Sequence, residues 1–292
     1  MRVDHFAIAV RSLDEVEAFL QRYFPLSPLG GISPSASSAA HARLYQLGHV
    51  RLALVESAHD GGTVSRFLEA RGEGVHHLAL RTSDLAAVES SLQEAGVGFF
   101  ETPNAPNTGR MIAIPQREAF GMLLLIGETD DPAPQPVPPA DRIVAMPGVP
   151  SRMVFDHLAA AVGSIPTARA FLDAHFPIAR DGGTHRGYAG DFDLSQFELG
   201  GFRMELVADA SGESFVTRFL ARRGPGFHHL SIDVDAIEPI LDRMRADGLR
   251  IVDEADLGNG YRTAFVSPRS AHGLLIQFWQ VPDLSNDAFA FG

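Results

Sequence analysis

The chain repeats itself, and a repeat of this length limits the fold more than any composition does. RVDHFAIAV (2–10) returns as MVFDHLAAAV (153–162), and TVSRFLEARGEGVHHLAL (63–80) returns as SFVTRFLARRGPGFHHLSI (214–232). The second pair keeps Arg, Phe, Leu, Arg, Gly, Gly, His and His in register. From His5 to His157 is 152 residues, and from His77 to His229 is 152 again, so the halves are duplicates without net insertion between these marks. A finer period lies inside each half: DHFAIAV resembles HHLALRT, DHLAAAV resembles HHLSIDV, and the step is 72 in both, from His5 to His77 and from His157 to His229.

Each of the four units opens on a short alternating strand. A helix follows, with Ser12 and Glu15 as a capping box before LDEVEAFLQRYF and Asp235 and Glu238 in the same roles before PILDRMRADG. Three more β-type runs complete the unit, ending in VRLALVE (50–56), GMLLLIG (121–127), FRMELVA (202–208) or GLLIQFW (273–279). The fold class is therefore α+β, four βαβββ units. The prolines of TDDPAPQPVPPADRIVAMPGVPS (129–151) forbid a regular helix or an inner strand and mark a linker. The expected domains are 1–130 and 151–282, with a Pro-rich linker at 131–150 and a tail at 283–292.

Spacing singles out candidate functional residues. The first-strand residue of each unit lies 48 residues before one on its last strand: His157 to Glu205, His229 to Gln277, His5 to Ala53 and His77 to Leu125. A lone strand histidine is more often a core or surface residue than a ligand. Four ligand-type residues at repeat-equivalent positions are a different matter. His157, Glu205, His229 and Gln277 are two imidazoles, a carboxylate and an amide oxygen, suited to Zn, Ni, Co, Mn or Fe(II) with positions left for substrate. His5, Ala53, His77 and Leu125 make no comparable cage and read as a vestigial copy. Strand alternation turns Asp156 and His228 away from this face. Arg203 and Trp279 share faces with Glu205 and Gln277 and are candidate substrate contacts, with Tyr261, Arg262 and His272 at a rim. Loops at 180–200 and 250–262 are expected to set specificity, with Gly182, Gly183 and GYAGDFD (187–193) as a flap.

Bulk chemistry narrows the partners. A formal charge of −12 repels phosphate backbones and anionic lipid, which leaves a small molecule as the expected partner and disfavours nucleic acid and membrane. The absence of cysteine restricts any metal to nitrogen and oxygen donors. No signal or spanning segment is visible, so a cytoplasmic location is expected. No organic cofactor is indicated, and a monomer or a homodimer is equally compatible with the duplication.

With the DH-x-x-x-AV strands, the RFL-x-x-RG-x-G-HH segments and the 48-residue spacing in view, the chain resembles the vicinal oxygen chelate (glyoxalase/bleomycin-resistance/dioxygenase) superfamily. FVTRFLARRGPGFHHLSIDVDAIE (215–238) and YRTAFVSPRSAHGLLIQFWQ (261–280) are similar to methylmalonyl-CoA epimerase and glyoxalase-like members. The resemblance implies two tandem half-barrel domains with metal ligands on the first and last strands of paired units, hence His157, Glu205, His229 and Gln277. Glutamate is usual where Gln277 stands, and glutamine often stands where Glu205 does. It further implies lyase or isomerase chemistry beside a carbonyl, with a metal-stabilised enolate and Glu205 as base. An extradiol-type non-haem iron dioxygenase is an alternative, although those enzymes carry the carboxylate on the final strand. A non-catalytic binding protein is a third, its ligand held in the apolar N-terminal cleft of Ala53, Val55, Leu123 and Leu125.

Overall fold

The computed structural model describes residues 1–32, 40–102, 109–131 and 137–286. The first half runs β1 (Arg2–Val10), α1 (Leu13–Tyr23), β2 (Leu26–Ile32), β3 (Ala40–Leu47), β4 (Val50–Ser57), α2 (Thr63–Arg71), β5 (Gly74–Thr82), α3 (Leu85–Glu94), β6 (Phe100–Glu101), β7 (Met111–Ile114) and β8 (Leu124–Glu128). A helical turn α4 (Pro139–Arg142) and a two-residue strand β9 (Val144–Ala145) follow. The second half runs β10 (Arg152–Ala161), α5 (Ile165–His175), β11 (Ile178–Arg186), β12 (Phe192–Leu199), β13 (Phe202–Asp209), α6 (Phe215–Arg223), β14 (Gly226–Val234), α7 (Glu238–Ala246), β15 (Ile251–Gly258), β16 (Tyr261–Val266) and β17 (Ile276–Gln280).

The duplication appears as two mixed sheets of one design, ordered β2-β3-β4-β1-β5-β8-β7-β6 and β11-β12-β13-β10-β14-β17-β16-β15. In each, the first strands of the two units pair antiparallel at the centre, and each first strand pairs parallel with the last strand of its own unit. The parallel registers are equivalent in all four units: Ala7 faces Ala53, Ala79 faces Leu125, Ala159 faces Glu205 and Ser231 faces Gln277. Residues 132–136 of the expected linker and 287–292 of the expected tail lie outside the described residues. The linker is less plain than its prolines suggest, because β9 pairs with β10.

Helix α1 forms where the sequence asks for it. The Ser12 side chain accepts from the Glu15 amide, Asp14 and Glu15 sit against the positive helix end, and Leu13, Val16, Leu20 and Tyr23 make one buried stripe. The expected cap by Asp235 is not made. That carboxylate accepts from the Arg152 amide and guanidinium, and α7 starts at Glu238 after an uncapped Ile237. An ion pair to a neighbouring strand has displaced the local bond.

Alternation in β1 sends Phe6, Ile8 and Val10 into a core shared by both halves, and Ala7 and Ala9 to the opposite face, beneath Val64 and Leu68 of α2. The halves meet through this core: Phe6 stacks on Phe155 with ring centroids 5.4 Å apart, and Tyr23 Oη donates to Asp247 at 2.7 Å. They also touch backbone to backbone. Phe120–Gly121 and His272–Gly273 are equivalent turns with positive φ throughout, +52° and +83° in the first, +49° and +76° in the second. A Cβ on Gly121 would lie 1.8 Å from the Pro225 carbonyl oxygen, and one on Gly273 would lie 2.0 Å from that of Glu73.

Glycine is thus required at both turns by conformation and by contact. Gly121→Ala or Gly273→Ala is expected to cost about 2–4 kcal/mol, from left-handed strain plus overpacking. Urea denaturation reads this directly, and an unchanged midpoint in both variants would contradict the contact.

Candidate metal centre

His157 lies in β10 and His229 in β14, the antiparallel central pair of the second sheet. Glu205 lies in β13 beside β10, and Gln277 in β17 beside β14. All four are buried. His157 Nε2 is 3.2 Å from His229 Nε2 and 3.5 Å from Glu205 Oε1, and His229 Nε2 is 3.7 Å from the same oxygen. The point equidistant from these three donors is roughly 2.0 Å from each, against metal–nitrogen and metal–oxygen bonds of about 2.0–2.2 Å. Among the described residues this is the group of His and acidic side chains arranged to hold an ion. Gln277 Nε2 donates to Thr263 Oγ1 at 3.1 Å, and the same amide hydrogen-bonds His229.

Each donor is held by a neighbour. His157 Nδ1 lies 2.6 Å from Asp156 Oδ2, and Asp156 is bound in turn by Arg203. His229 Nδ1 lies 2.8 Å from His228 Nδ1, and Gln196, opposite Glu205 in the β12–β13 ladder, donates to Glu205 Oε2 at 3.0 Å. An Nδ1 engaged by a neighbour leaves Nε2 as the metal-facing atom, and such partners fix ring orientation and ligand basicity.

Alternation pointed Asp156 and His228 away from the site, and the structure corrects this for Asp156. The β10–β14 register shifts between Phe155 and His157 and between Ala159 and Ala160, so Asp156 and His228 are extra residues in two β-bulges. A bulge rotates its residue towards its neighbour's face, and Asp156 lines the same cavity as His157. The repeated DH and HH dipeptides were its visible trace in the sequence. Gln196, Thr263 and Asp233 were also missed, because each reaches the site only through its cross-strand neighbours.

Burial opposes protonation of His157, but the charges of Glu205 and Asp156 outweigh it and push its pKa up to about 10. Burial, with His228 and His157 nearby, holds His229 well below the ordinary histidine value, so it stays neutral. Burial raises Asp156, yet Arg203 and His157 bring it down to about 2. Asp233, buried and facing the charge of Asp156, is pushed well above the carboxylate range. Asp156 is thus ionised and Asp233 neutral on the same cavity wall.

A cavity of about 240 Å³ opens over these donors, with Arg203, Asp233, Tyr188, Tyr261 and Trp279 in its lining. Of the residues expected near substrate, Arg203, Trp279 and Tyr261 all reach it, with Arg203 engaged by Asp156. Arg262 instead pairs with Glu238 at 2.5 Å, and His272 packs on Phe19 near Glu73, so neither belongs to the rim. The expected flap is the end of the β11–β12 hairpin, from which Tyr188 and Phe192 enter the cavity.

The first half keeps the frame without the acid. His5 and His77 face each other at 5.6 Å between ring centroids, Asp4 lies 3.0 Å from His5 Nδ1, and His76 lies 2.8 Å from His77 Nδ1. Ala53 and Leu125 occupy the other two corners. The apolar cleft at Ala53 and Val55 is covered by Val64 and Leu68.

A sequence-family model described as the Glyoxalase/Bleomycin resistance protein/Dioxygenase superfamily matches residues 4–114 and 156–265, one stretch in each half. Uncharacterized protein YqjC of Bacillus subtilis is 27% identical over 126 residues, 42% of this chain and 88% of that one. The 4-hydroxyphenylpyruvate dioxygenase of Pseudomonas aeruginosa is 35% identical over 85 residues, so this chain matches only 22% of its length. A variant of 4-hydroxymandelate synthase from Streptomyces coelicolor agrees in fold across 96% of this chain and 92% of that one, with a TM-score of 0.65 at 18% identity. No helix among the described residues is long and apolar enough to cross a membrane.

Elemental analysis of purified protein is expected to find about one equivalent of divalent metal per chain, and none in His229→Ala. Asp156→Asn should weaken metal affinity about 10–100-fold while leaving the fold intact, since it loosens only the ring that Asp156 orients. Full metal content in His229→Ala would place the ion elsewhere.

Proposed function

Because this chain belongs to the Glyoxalase/Bleomycin resistance protein/Dioxygenase superfamily, we propose that it is a metal-dependent enzyme acting on a small oxygenated substrate next to a carbonyl, by lyase or isomerase chemistry. The observation that carries this reading is the buried triangle of His157, His229 and Glu205 beneath a cavity. Bound there, a divalent ion supplies Lewis-acid stabilisation of negative charge growing on a substrate oxygen. Which of Zn, Ni, Co, Mn or Fe(II) serves is left open by the donor set.

The chain's own residues divide the remaining work. Glu205 takes the proton from the carbon beside the carbonyl, and the C–H electron pair moves onto the carbonyl oxygen. Return of a proton to that carbon makes an isomerase, and departure of a group from the adjacent carbon makes a lyase. Asp233, half-buried in the cavity wall and held neutral there, is assigned the return of the proton. Asp156 and Gln196 keep His157 and Glu205 aimed while this happens. Tyr188, Tyr261 and Trp279 offer stacking surfaces to a planar or apolar substrate body.

A second reading has specific support. Two histidines and one carboxylate with open positions are also the ligand set of non-haem iron oxygenases, and one relative of this chain is a 4-hydroxyphenylpyruvate dioxygenase. The same residues would hold ferrous iron. The carboxylate lies on β13, the last strand of the third unit, with Gln277 on the final strand.

One pair of measurements separates the two. Proton NMR in D₂O, with metal-loaded protein and a panel of 2-hydroxy carbonyl compounds, 2-oxo acids and 2-substituted acyl thioesters, is expected to show exchange of the proton beside the carbonyl. Glu205→Gln, checked for metal content, should slow it about 10²–10⁴-fold. Undiminished exchange in that variant removes Glu205 as base. Oxygen uptake by the ferrous protein with 4-hydroxyphenylpyruvate or a catechol, without proton exchange, selects the oxygenase.

A further inference from the structure

A second cavity, of about 570 Å³, opens where the two halves meet. It is lined by the C-terminal ends of α2 and α6 and by the first residues of β5 and β14, so equivalent residues of the two halves meet across it: Phe67 with Phe219, Arg71 with Arg223, His76 with His228. Its volume lies within the range of about 300–1,000 Å³ usual for small-molecule sites. Phe215 and His229 line both cavities, but His157, Glu205 and Gln277 line only the metal cavity.

The charge of this cavity runs against that of the chain. The sequence carries 36 acidic residues and 24 basic ones. Yet Arg71, Arg218, Arg222, Arg223 and Arg269 all line the cavity, and no Asp or Glu does. Among the described residues, Arg71 donates to the Pro225 carbonyl at 3.4 Å and Arg218 to the Glu213 carbonyl at 2.8 Å, both neutral acceptors. Burial, and then the nearby Arg223, pull the Arg71 pKa below its ordinary value. Like charges are therefore held together at a cost that an anion would offset. Phe67, Phe215, Phe219 and Phe227 add partly exposed aromatic surface beside them.

We propose that this cavity is a binding site for a small organic polyanion of the phosphate-ester class, its charge held by Arg71, Arg222 and Arg223 and its planar or apolar body laid on the phenylalanines. Guanidinium forks match phosphate oxygens in pairs, and several of them suit a ligand of two or more charges. His76 and His228, each held down to about 4 by burial, stay neutral and add no charge of their own. His229 borders this cavity, but His157, Glu205 and Gln277 do not line it, so the proposal does not rest on the reaction assigned above.

Isothermal titration calorimetry of the full chain at low ionic strength, with pyrophosphate and with ADP, tests this. One saturable site per chain is expected, with a dissociation constant below about 1 mM and ADP the tighter probe. Binding should weaken about tenfold or more in Arg71→Gln and in Arg222→Gln/Arg223→Gln, both checked as folded by circular dichroism. It should persist in His157→Ala, which removes the metal centre. Absence of saturation up to about 10 mM overturns the proposal. So does binding that survives the arginine variants, or binding lost in His157→Ala, which would put the anion on the metal.

Discussion

The antiparallel pairing of β10 with β14 is the constraint on which the site depends. Two strands side by side would ordinarily send alternate residues to one face and their neighbours to the other. Here a bulge on each strand breaks that rule, at Asp156 on β10 and at His228 on β14. Each bulge sets a hydrogen-bonding residue beside the histidine that follows it. The two imidazoles consequently arrive with Nδ1 engaged and Nε2 turned to a common point. Parallel pairing of β13 with β10 then brings Glu205 to the same point through a register that recurs in every unit.

A buried carboxylate and two buried imidazoles are costly unless charge is balanced. In the second half, Glu205 and Asp156 are offset by Arg203, by the proton affinity they confer on His157, and by Gln196. A divalent cation at the same point would offset the same negative charge. The first half shows the apolar alternative on an equivalent frame. Burial holds the second histidine of each half, His77 and His229, well below the ordinary value, and the halves part at Ala53 and Leu125 in place of Glu205 and Gln277. The two halves differ in side chain at these two corners, while the strand registers that position them are the same.

Much of this was legible from the residues. Constant offsets revealed four units, and the 48-residue spacing picked His157, Glu205, His229 and Gln277, because strand registers preserve sequence offsets when nothing is inserted. What escaped was whatever depends on pairing between strands. A bulge at Asp156 has no local signature beyond a repeated dipeptide. Gln196 and Thr263 become relevant only when β12 and β16 lie beside β13 and β17. Asp235 carried a good capping pattern, yet Arg152 on the neighbouring strand took its carboxylate. Local pattern yields where a tertiary partner offers a charged bond.

The divergence between halves also has a direction. The corner positions of the candidate metal site differ between the halves, Ala53 against Glu205 and Leu125 against Gln277. At the junction turns and the strand starts beside them the residue type is kept: Gly121 with Gly273, Gly74 with Gly226, Arg71 with Arg223. Physically the two sets face different demands. A corner of the candidate metal cage is set by the strand pairing of its own half alone. A glycine at the junction is needed twice over, since each copy admits a carbonyl of the other half at a distance no Cβ tolerates. The paired arginines lie on this same junction, so the duplication built a surface that neither half presents alone.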